Sequence, residues 1–162
     1  MGRTGPEDLE RQLRFHRLEW RVQRIGWVFV AVFLALAFAG LFGGGPLSHA
    51  RAQAATGRIE YERFVRNGAP TELVITSAGG GAQGVSSIEI SADYLEAFRV
   101  ERVTPEPTAV RRAGGLLVYE FAASPSGAVI FFQLDPQRLW RHRAVVRIDN
   151  GPPLEIWQLT YP

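Results

Sequence analysis

Cysteine and lysine are absent from this chain of 162 residues, and histidine occurs only three times. Without cysteine the chain can form no disulfide, no thiolate metal site and no cysteine nucleophile. A small secreted scaffold held together by disulfides is therefore excluded. All eighteen basic residues are arginine, a bias that is typical of a GC-rich genome and identifies no partner.

Residue sets that carry out chemistry are also missing. After residue 24 the histidines are His49 and His142, and His142 lies between two arginines in the sequence. Two isolated histidines without cysteine do not make a zinc site. The glycine run at 79–81 is not followed by the lysine of a phosphate loop, and no G-x-S-x-G or S-x-x-K motif occurs. We therefore expect no catalytic residue, no cofactor and no metal.

One pair of carboxylates comes closest to a catalytic arrangement. Glu60 and Glu62 share one face of a predicted strand. Arg58 and Arg66 lie close to them in the sequence, which is typical of a solvated strand face rather than of an acid–base pair. We expect both glutamates to be surface residues.

The most informative segment that is present is an uncharged apolar run over residues 25–43, IGWVFVAVFLALAFAGLFG. Its length matches the roughly 20 residues that cross a bilayer as a helix. We predict a transmembrane helix over 25–43, with the lipid bilayer as its partner. Residues 1–24 are predicted to form a cytoplasmic amphipathic helix that begins with a capping box at Thr4 and Glu7.

Arginine is concentrated on one side of this run. Four arginines lie within residues 14–24, and cytoplasmic flanks carry such an excess. Trp20 and Trp27 bracket the same boundary, where amphipathic rings prefer to lie. We predict a single-pass protein of the bacterial inner (plasma) membrane, with the N-terminus in the cytoplasm and the C-terminal domain outside.

A cleaved signal peptide is the alternative to a retained anchor. Ala52-Gln53-Ala54, followed by Ala55, has the small-x-small pattern of a cleavage site. The apolar run is longer than the usual core of a signal peptide, and the candidate site lies well beyond its end. We therefore favour a retained anchor.

Small residues recur every four positions in the predicted span, at Ala31, Ala35, Ala39 and Gly43. This spacing places them on one ridge of a helix, the small-xxx-small arrangement that lets a second helix approach closely. The ridge predicts a helical partner, either a second copy of this chain or another membrane protein. The alternative is an accidental spacing within an alanine-rich run.

Short apolar runs separated by turn residues fill the rest of the chain. We predict a linker over 44–56 and an extracytoplasmic β-domain over 57–162, with one helical turn at 92–98. The predicted strands are 58–65, 72–77, 85–91, 98–103, 116–122, 128–134, 141–148 and 154–160. This pattern predicts an antiparallel β-sandwich, so the whole chain is mainly β with an N-terminal transmembrane helix.

Charge is balanced in the predicted β-domain. From residue 46 onward there are twelve arginines and twelve acidic residues. Nucleic-acid binding needs a concentrated basic face, so we expect no nucleic-acid partner.

Five aromatic residues cluster in the last third of the chain: Phe131, Phe132, Trp140, Trp157 and Tyr161. Most of them should enter the core, because a sandwich of this size needs large side chains. Phe131 and Phe132 are adjacent and must point to opposite faces of a strand. One outward aromatic face is a candidate protein-docking patch.

Two stretches carry resemblances to known families. Residues 130–136, followed by 141–148, resemble the strand, proline corner and strand of immunoglobulin-like domains. The segments RIGW (24–27), GGGPLS (43–48), YERF (61–64) and YP (161–162) resemble those of small bacterial single-pass membrane proteins of unknown function. The resemblance implies this topology, an outer β-domain and a role beside a larger integral membrane protein, and it implies no catalytic residue.

Two function classes follow from these features. The first is a non-catalytic, membrane-anchored accessory protein that docks on another membrane or envelope component. The second is an envelope module that captures a ligand or a polysaccharide between the loops of the sandwich. An envelope enzyme is disfavoured, because no set of catalytic residues is present.

Overall fold

A long helix precedes a β-rich unit in the chain. The computed structural model describes residues 6–38, 45–79, 85–122 and 124–162. The chain divides into two units, residues 1–39 and residues 40–162. Thr4 of the predicted capping box, and Ala39 and Gly43 of the predicted ridge, lie outside the described residues.

One helix, α1, runs over Pro6–Leu36. Proline is tolerated in a first turn because its missing N–H has no partner inside the helix. The helix continues without a break from the predicted cytoplasmic segment into the predicted span. Within the described residues, none of the helices combines the length and the apolar character that a membrane crossing needs. The transmembrane assignment of 25–43 is therefore not shown.

Among the described residues of the second unit there are eleven strands and one short helix, which make this unit mainly β, as predicted. The elements are β1 His49–Ala54, β2 Gly57–Glu62, β3 Phe64–Arg66, β4 Thr71–Ser77, β5 Val85–Ser91, α2 Ala92–Ala97, β6 Phe98–Thr104, β7 Ala109–Ala113, β8 Leu116–Ala122, β9 Ala128–Pro136, β10 Trp140–Ile148 and β11 Leu154–Tyr161.

The strands form two sheets that face each other as a sandwich. The five-stranded sheet has the order β1-β2-β4-β9-β6, and the six-stranded sheet has the order β3-β11-β10-β5-β8-β7. All described pairs are antiparallel except β3 with β11, which are parallel. The prediction of a purely antiparallel sandwich is therefore corrected. The reason is that the strand predicted over 58–65 is interrupted at Arg63. The part before Arg63 is β2 in the five-stranded sheet, and the part after it is β3 at the edge of the six-stranded sheet.

Part of the predicted linker over 44–56 is also wrong, because residues 49–54 form β1. All six residues of this strand pair with β2. Its inward-facing residues are alanines, and Ala50 is 5% exposed. Alanine at alternate positions gives only a weak apolar signal, which is why the sequence reads as a linker.

The core lies between the two sheets and follows the alternation of the strands. In β9, Ile130, Phe132 and Leu134 are fully buried, whereas Phe131 is 39% exposed. The predicted opposition of Phe131 and Phe132 is therefore confirmed. Burial of this kind stabilises a domain by about 1.5–3 kcal/mol per large apolar side chain.

Hydrogen bonds between polar side chains connect several elements of the described sandwich. The Asp149 carboxylate accepts hydrogen bonds from Ser77 Oγ (2.5 Å) in one sheet and from Ser86 Oγ (2.8 Å) in the other. The Tyr94 hydroxyl of α2 donates to Gln158 Oε1 of β11. Gln158 Nε2 in turn donates to the Glu62 carbonyl oxygen (2.7 Å). Burial, with a smaller contribution from Tyr61, raises the pKa of Tyr94 well above its ordinary range.

Candidate interaction surface

The outer face of the six-stranded sheet carries a cluster of large side chains from β11. Ile156, Gln158 and Thr160 of this strand are buried on the inner face. Strand alternation therefore places Trp157 and Leu159 on the outer face, where both are half-buried. The parallel pairing of β3 sets Phe64 beside Leu159 in register.

Two guanidinium groups lie close to the Trp157 ring. Arg141 Cζ lies 5.0 Å and Arg63 Cζ 5.6 Å from the centroid of its ring. The Phe64 ring meets the same indole edge to face, with 6.1 Å between centroids. Such cation–π contacts contribute about 0.5–1 kcal/mol each at exposed sites. We call Arg63, Phe64, Arg141, Arg143 and Trp157 the arginine–tryptophan patch.

The arginines of this patch are unlike most others in the β-unit. Arg99 and Arg147, for example, pair with Asp135 (2.6 Å) and Glu89 (3.6 Å). Among the described residues, no carboxylate lies within ion-pair distance of Arg63, Arg141 or Arg143. The patch therefore presents positive charge that the described part of the chain does not neutralise.

Arg63 is the most enclosed of the three arginines. Its Nε is buried and has no hydrogen-bond partner among the described residues. Its carbonyl oxygen accepts a hydrogen bond from Leu159 N–H (2.7 Å), which fixes its main chain against β11. The paired strands β10 and β11 therefore position Arg141, Arg143 and Trp157. The main-chain hydrogen bond to Leu159 positions Arg63, which connects β2 to β3.

A shallow groove of about 400 Å³ lies beside the patch. Arg141, Arg143 and Trp157 line one part of it, and Ser91 and Glu155 line another. Glu155 is the one acidic residue among the described groove-lining residues. Arginine and tryptophan are the residue types that most often carry the binding energy of protein interfaces.

The five predicted aromatics do not come together. Phe132 is in the core, and Phe131 is on the outer face of the five-stranded sheet. Trp157 and Tyr161 lie on the outer face of the six-stranded sheet, and Trp140 at the start of β10 is 76% exposed. Of the five, Trp157 is the residue that the structure places in the patch.

The predicted ridge on α1 is described only in part. Ala31 and Ala35 are exposed on the helix. At the predicted inner boundary, Arg24 Cζ lies 5.1 Å from the Trp20 ring centroid, and Trp27 lines the same small groove on the helix. The packing of this ridge against a second helix therefore remains a prediction.

The candidate acid–base residues are engaged in surface contacts. Glu60 lies 3.4 Å from Arg51 and 3.5 Å from Arg58, and Glu62 lies 3.8 Å from His49. Arg51 and His49 belong to β1, the strand that the sequence did not reveal. Both glutamates are half-buried on the outer face of their sheet.

His142 is not a free surface residue. Its Nε2 lies 3.0 Å from the Arg138 carbonyl oxygen, and its ring meets Phe98 edge to face. Within the described ranges, no group of three or more histidine and carboxylate side chains is arranged to hold a metal ion.

Sequence reasoning missed Arg63, Arg141 and Arg143 as members of a site. The sequence did offer one signal. Arg141 and Arg143 alternate with His142 in one predicted strand, and Trp157 and Leu159 alternate with Gln158 in the next, so each pair shares one face of its strand. The sequence could not predict the register that sets Arg143 opposite Trp157. Strand register depends on the burial pattern of the whole sheet.

Comparisons with known proteins assign no family. No protein-family model and no curated protein matches the chain. Among solved structures, the chain is similar to the cohesin module of a Clostridium perfringens ATCC13124 family 33 glycoside hydrolase, at 14% identity and a TM-score of 0.38 over 65% of this chain and 95% of that one. A CaDoc0917–CaCohA2 complex is similar at 14% identity and a TM-score of 0.38, over 57% of this chain and 81% of that one. Similarity at this level assigns neither a family nor a function.

Proposed function

We propose that this protein is a non-catalytic, membrane-anchored interaction protein whose β-domain docks on another protein of the membrane or envelope. The observation that carries the proposal is the arginine–tryptophan patch, in which unpaired guanidinium groups surround a half-buried indole. Interfaces are enriched in these residue types and depleted in lysine and glutamate at their centres. An immunoglobulin-like arrangement of the sandwich is part of the proposal, supported by the passage from β9 to β10 after Pro136.

Membrane anchoring is supported by the surface of α1 and by its arginine flank. Ile25, Phe29 and Phe38 are 69%, 73% and 88% exposed, so a large apolar surface has no cover in the helix itself. Such a surface is stable next to lipid and costs free energy next to water. The anchored protein lies in the bacterial inner membrane with its β-domain outside the cytoplasm.

Retention of the anchor is supported by β1. A cut after Ala54 would remove this strand, and all six of its residues pair with β2. The removal would leave the edge of β2 unpaired and uncover part of the core. N-terminal sequencing of the mature protein should therefore find a start before residue 49, and a start at Ala55 would contradict retention.

The docking role is tested by site-specific photocrosslinking in native membranes. A photoreactive amino acid at Leu159, beside Trp157, should form a crosslink to one protein species. The same amino acid at Phe131, on the outer face of the opposite sheet, is the matched control and should form none. Crosslinks at both positions, or at neither, would contradict docking through the patch.

Two tryptophan variants, Trp157→Ala and its control Trp140→Ala, test whether the crosslink depends on the patch. Trp157→Ala removes the indole from the patch and should abolish the crosslink from Leu159. Trp140→Ala removes an indole that is more exposed and lies outside the patch, and it should leave the crosslink unchanged. Thermal unfolding of both variants shows whether a lost crosslink reflects a lost fold.

A ligand- or polysaccharide-binding module is the second candidate function. Trp140 favours it, because a flat ring that is 76% exposed is suited to stacking on a sugar. This function predicts saturable binding of an envelope polysaccharide that Trp140→Ala abolishes and Trp157→Ala does not. If no polysaccharide binds, and Trp157→Ala abolishes the crosslink from Leu159, the docking function is favoured.

A further inference from the structure

The pairing between β5 and β10 ends early and leaves part of β10 without a strand partner on that side. β10 pairs with β5 over Val146–Ile148 only, although β10 itself begins at Trp140. β5 stops at Ser91 because the chain turns into α2 at Ala92. N-terminal to this point, β10 is paired on one side with β11 over Trp140–Val145.

Ser91 marks the place where the open edge starts. Its Oγ accepts a hydrogen bond from Val145 N–H (2.7 Å) and lies 3.2 Å from the Val145 carbonyl oxygen. Both main-chain groups of Val145 therefore point away from β11 and toward the β5 side. In a regular strand, residues two positions apart direct their N–H and C=O groups to the same edge. The main-chain groups of Arg143 and Arg141 consequently face this edge too.

The edge at Arg141 and Arg143 has hydrogen-bonding capacity that the described residues do not use. No described strand pairs with β10 there, and no described side chain or turn supplies the bond that Ser91 supplies to Val145. The groove lined by Arg143, Val145 and Ser91 lies at the same place. Unpaired main-chain groups beside a groove are what an added strand completes.

The side chains of Arg141 and Arg143 favour negative charge on a strand that pairs with this edge. Arg141 and Arg143 are exposed, and both alternate onto the outer face beside Trp157. A guanidinium binds a carboxylate through two parallel hydrogen bonds, which gives direction as well as affinity. An acidic peptide therefore complements both the side chains and the main chain of this edge.

A second copy of this chain does not supply such a strand from three of its edges. β1 (HARAQA), β3 (FVR) and β7 (AVRRA) contain arginine and no acidic residue. Pairing any of them with β10 would place arginine against arginine. These three edges therefore do not supply the complementary charge, and we assign it to a different chain.

We propose that an extended acidic segment of the partner protein adds as a strand to the open edge of β10, at Arg141–Arg143. This inference rests on the proposed docking function and names the chemistry of the partner. Carboxylates at alternate positions of the segment bind Arg141 and Arg143 on the outer face of the sheet. Its main chain bonds to the N–H and C=O groups of Arg143.

The test uses the full-length protein in detergent micelles and a fluorescein-labelled twelve-residue peptide of alternating glutamate and valine. Anisotropy should show saturable binding that weakens with added salt, because exposed charges are screened. Arg143→Gln should weaken binding about tenfold or more, since losing one partner of a close charge pair is costly. Arg102→Gln removes an exposed arginine from the opposite sheet and should change affinity less than about twofold.

Strand addition is separated from simple charge attraction by two N-methylated versions of the peptide. Methylation at alternate residues removes the main-chain donors on one edge and leaves every carboxylate in place. One of the two versions should lose binding and the other should retain it. Equal binding by both versions would overturn strand addition.

The remaining outcomes also decide the question. Binding of an oligogalacturonate with the same dependence on Arg143, in place of the peptide, would overturn the proposal in favour of an acidic polysaccharide. If Leu159 crosslinks to a protein partner and Arg143→Gln leaves that crosslink intact, docking stands and the acidic-strand inference fails. If no crosslink forms at Leu159, the docking function itself fails.

Discussion

The helix and the β-sandwich use the same kinds of apolar residue in opposite ways. In α1, every described side chain from Val22 to Leu36 is exposed. In the sandwich, alternate side chains enter a shared interior, and Ile59, Ile75 and Phe132 are fully buried. A period of two separates inside from outside in a strand, whereas an all-round apolar helix has no polar side. The sandwich buries apolar side chains in its own interior, whereas the described side chains of α1 between Val22 and Leu36 are exposed.

The largest expected effect tests the inside of the sandwich. Phe132→Ala should reduce the free energy of unfolding by about 3–5 kcal/mol, because it opens a cavity in a packed core. Phe131→Ala, one position away on the opposite face, should cost about 1 kcal/mol or less. Urea unfolding followed by tryptophan fluorescence measures both. Equal losses would show that the two faces of β9 are not divided as described.

A smaller effect is expected for the polar link between α2 and β11. Tyr94→Phe should cost about 1–3 kcal/mol, because it leaves the buried Gln158 Oε1 without its donor. The same change made in a Gln158→Leu background should cost little more, since the acceptor is then absent. A full additional loss in the double variant would show that the Tyr94 hydroxyl stabilises the fold by a contact other than its hydrogen bond to Gln158.

The same residue predicts how stability depends on pH. Burial raises the pKa of Tyr94, and of Tyr119, above the ordinary value of about 10. The unfolded chain therefore loses these phenol protons at lower pH than the folded chain does. Stability from this source is fully present below pH of about 10 and falls as pH rises above it. Unfolding measured across pH 8–12 should show this decline, and Tyr94→Phe should make it shallower.

The smallest expected effect tests the outside of the helix. If the ridge of Ala31, Ala35, Ala39 and Gly43 packs against another helix, Ala35→Leu should weaken that association by about 1–2 kcal/mol. The larger side chain keeps the two helices apart and removes dispersion contacts along the seam. Leu34→Ala, on another face, should have no such effect.

Crosslinking of the intact protein at a fixed detergent ratio is the measurement for this pair. Unchanged association in both variants would mean that the spacing follows from the alanine-rich composition. The helix would then present an apolar surface without a specific packing face, unlike the sandwich, in which each strand has a defined buried face.

Strand positions were largely predictable where side chains alternate strongly. The predicted strands at 85–91 and 116–122 coincide with β5 and β8, and the helical turn at 92–98 is confirmed by α2. β1 and β7 were missed. β1 uses alanine for its inward positions, and all five residues of β7 are exposed, so neither strand shows a clear period of two.

The sequence by itself determined the chemical character of this protein: a long N-terminal helix with a basic and an apolar segment, a β-rich unit, and no disulfides. These features follow from composition and from local periodicity, which act over a few neighbouring residues. Only the tertiary structure decided that Arg63, Arg141 and Trp157 meet, that β3 pairs in parallel with β11, and that β10 keeps an open edge. Those features depend on which distant strands become neighbours and in what register, and each pairing is fixed by the burial of the whole core rather than by the residues that form the patch.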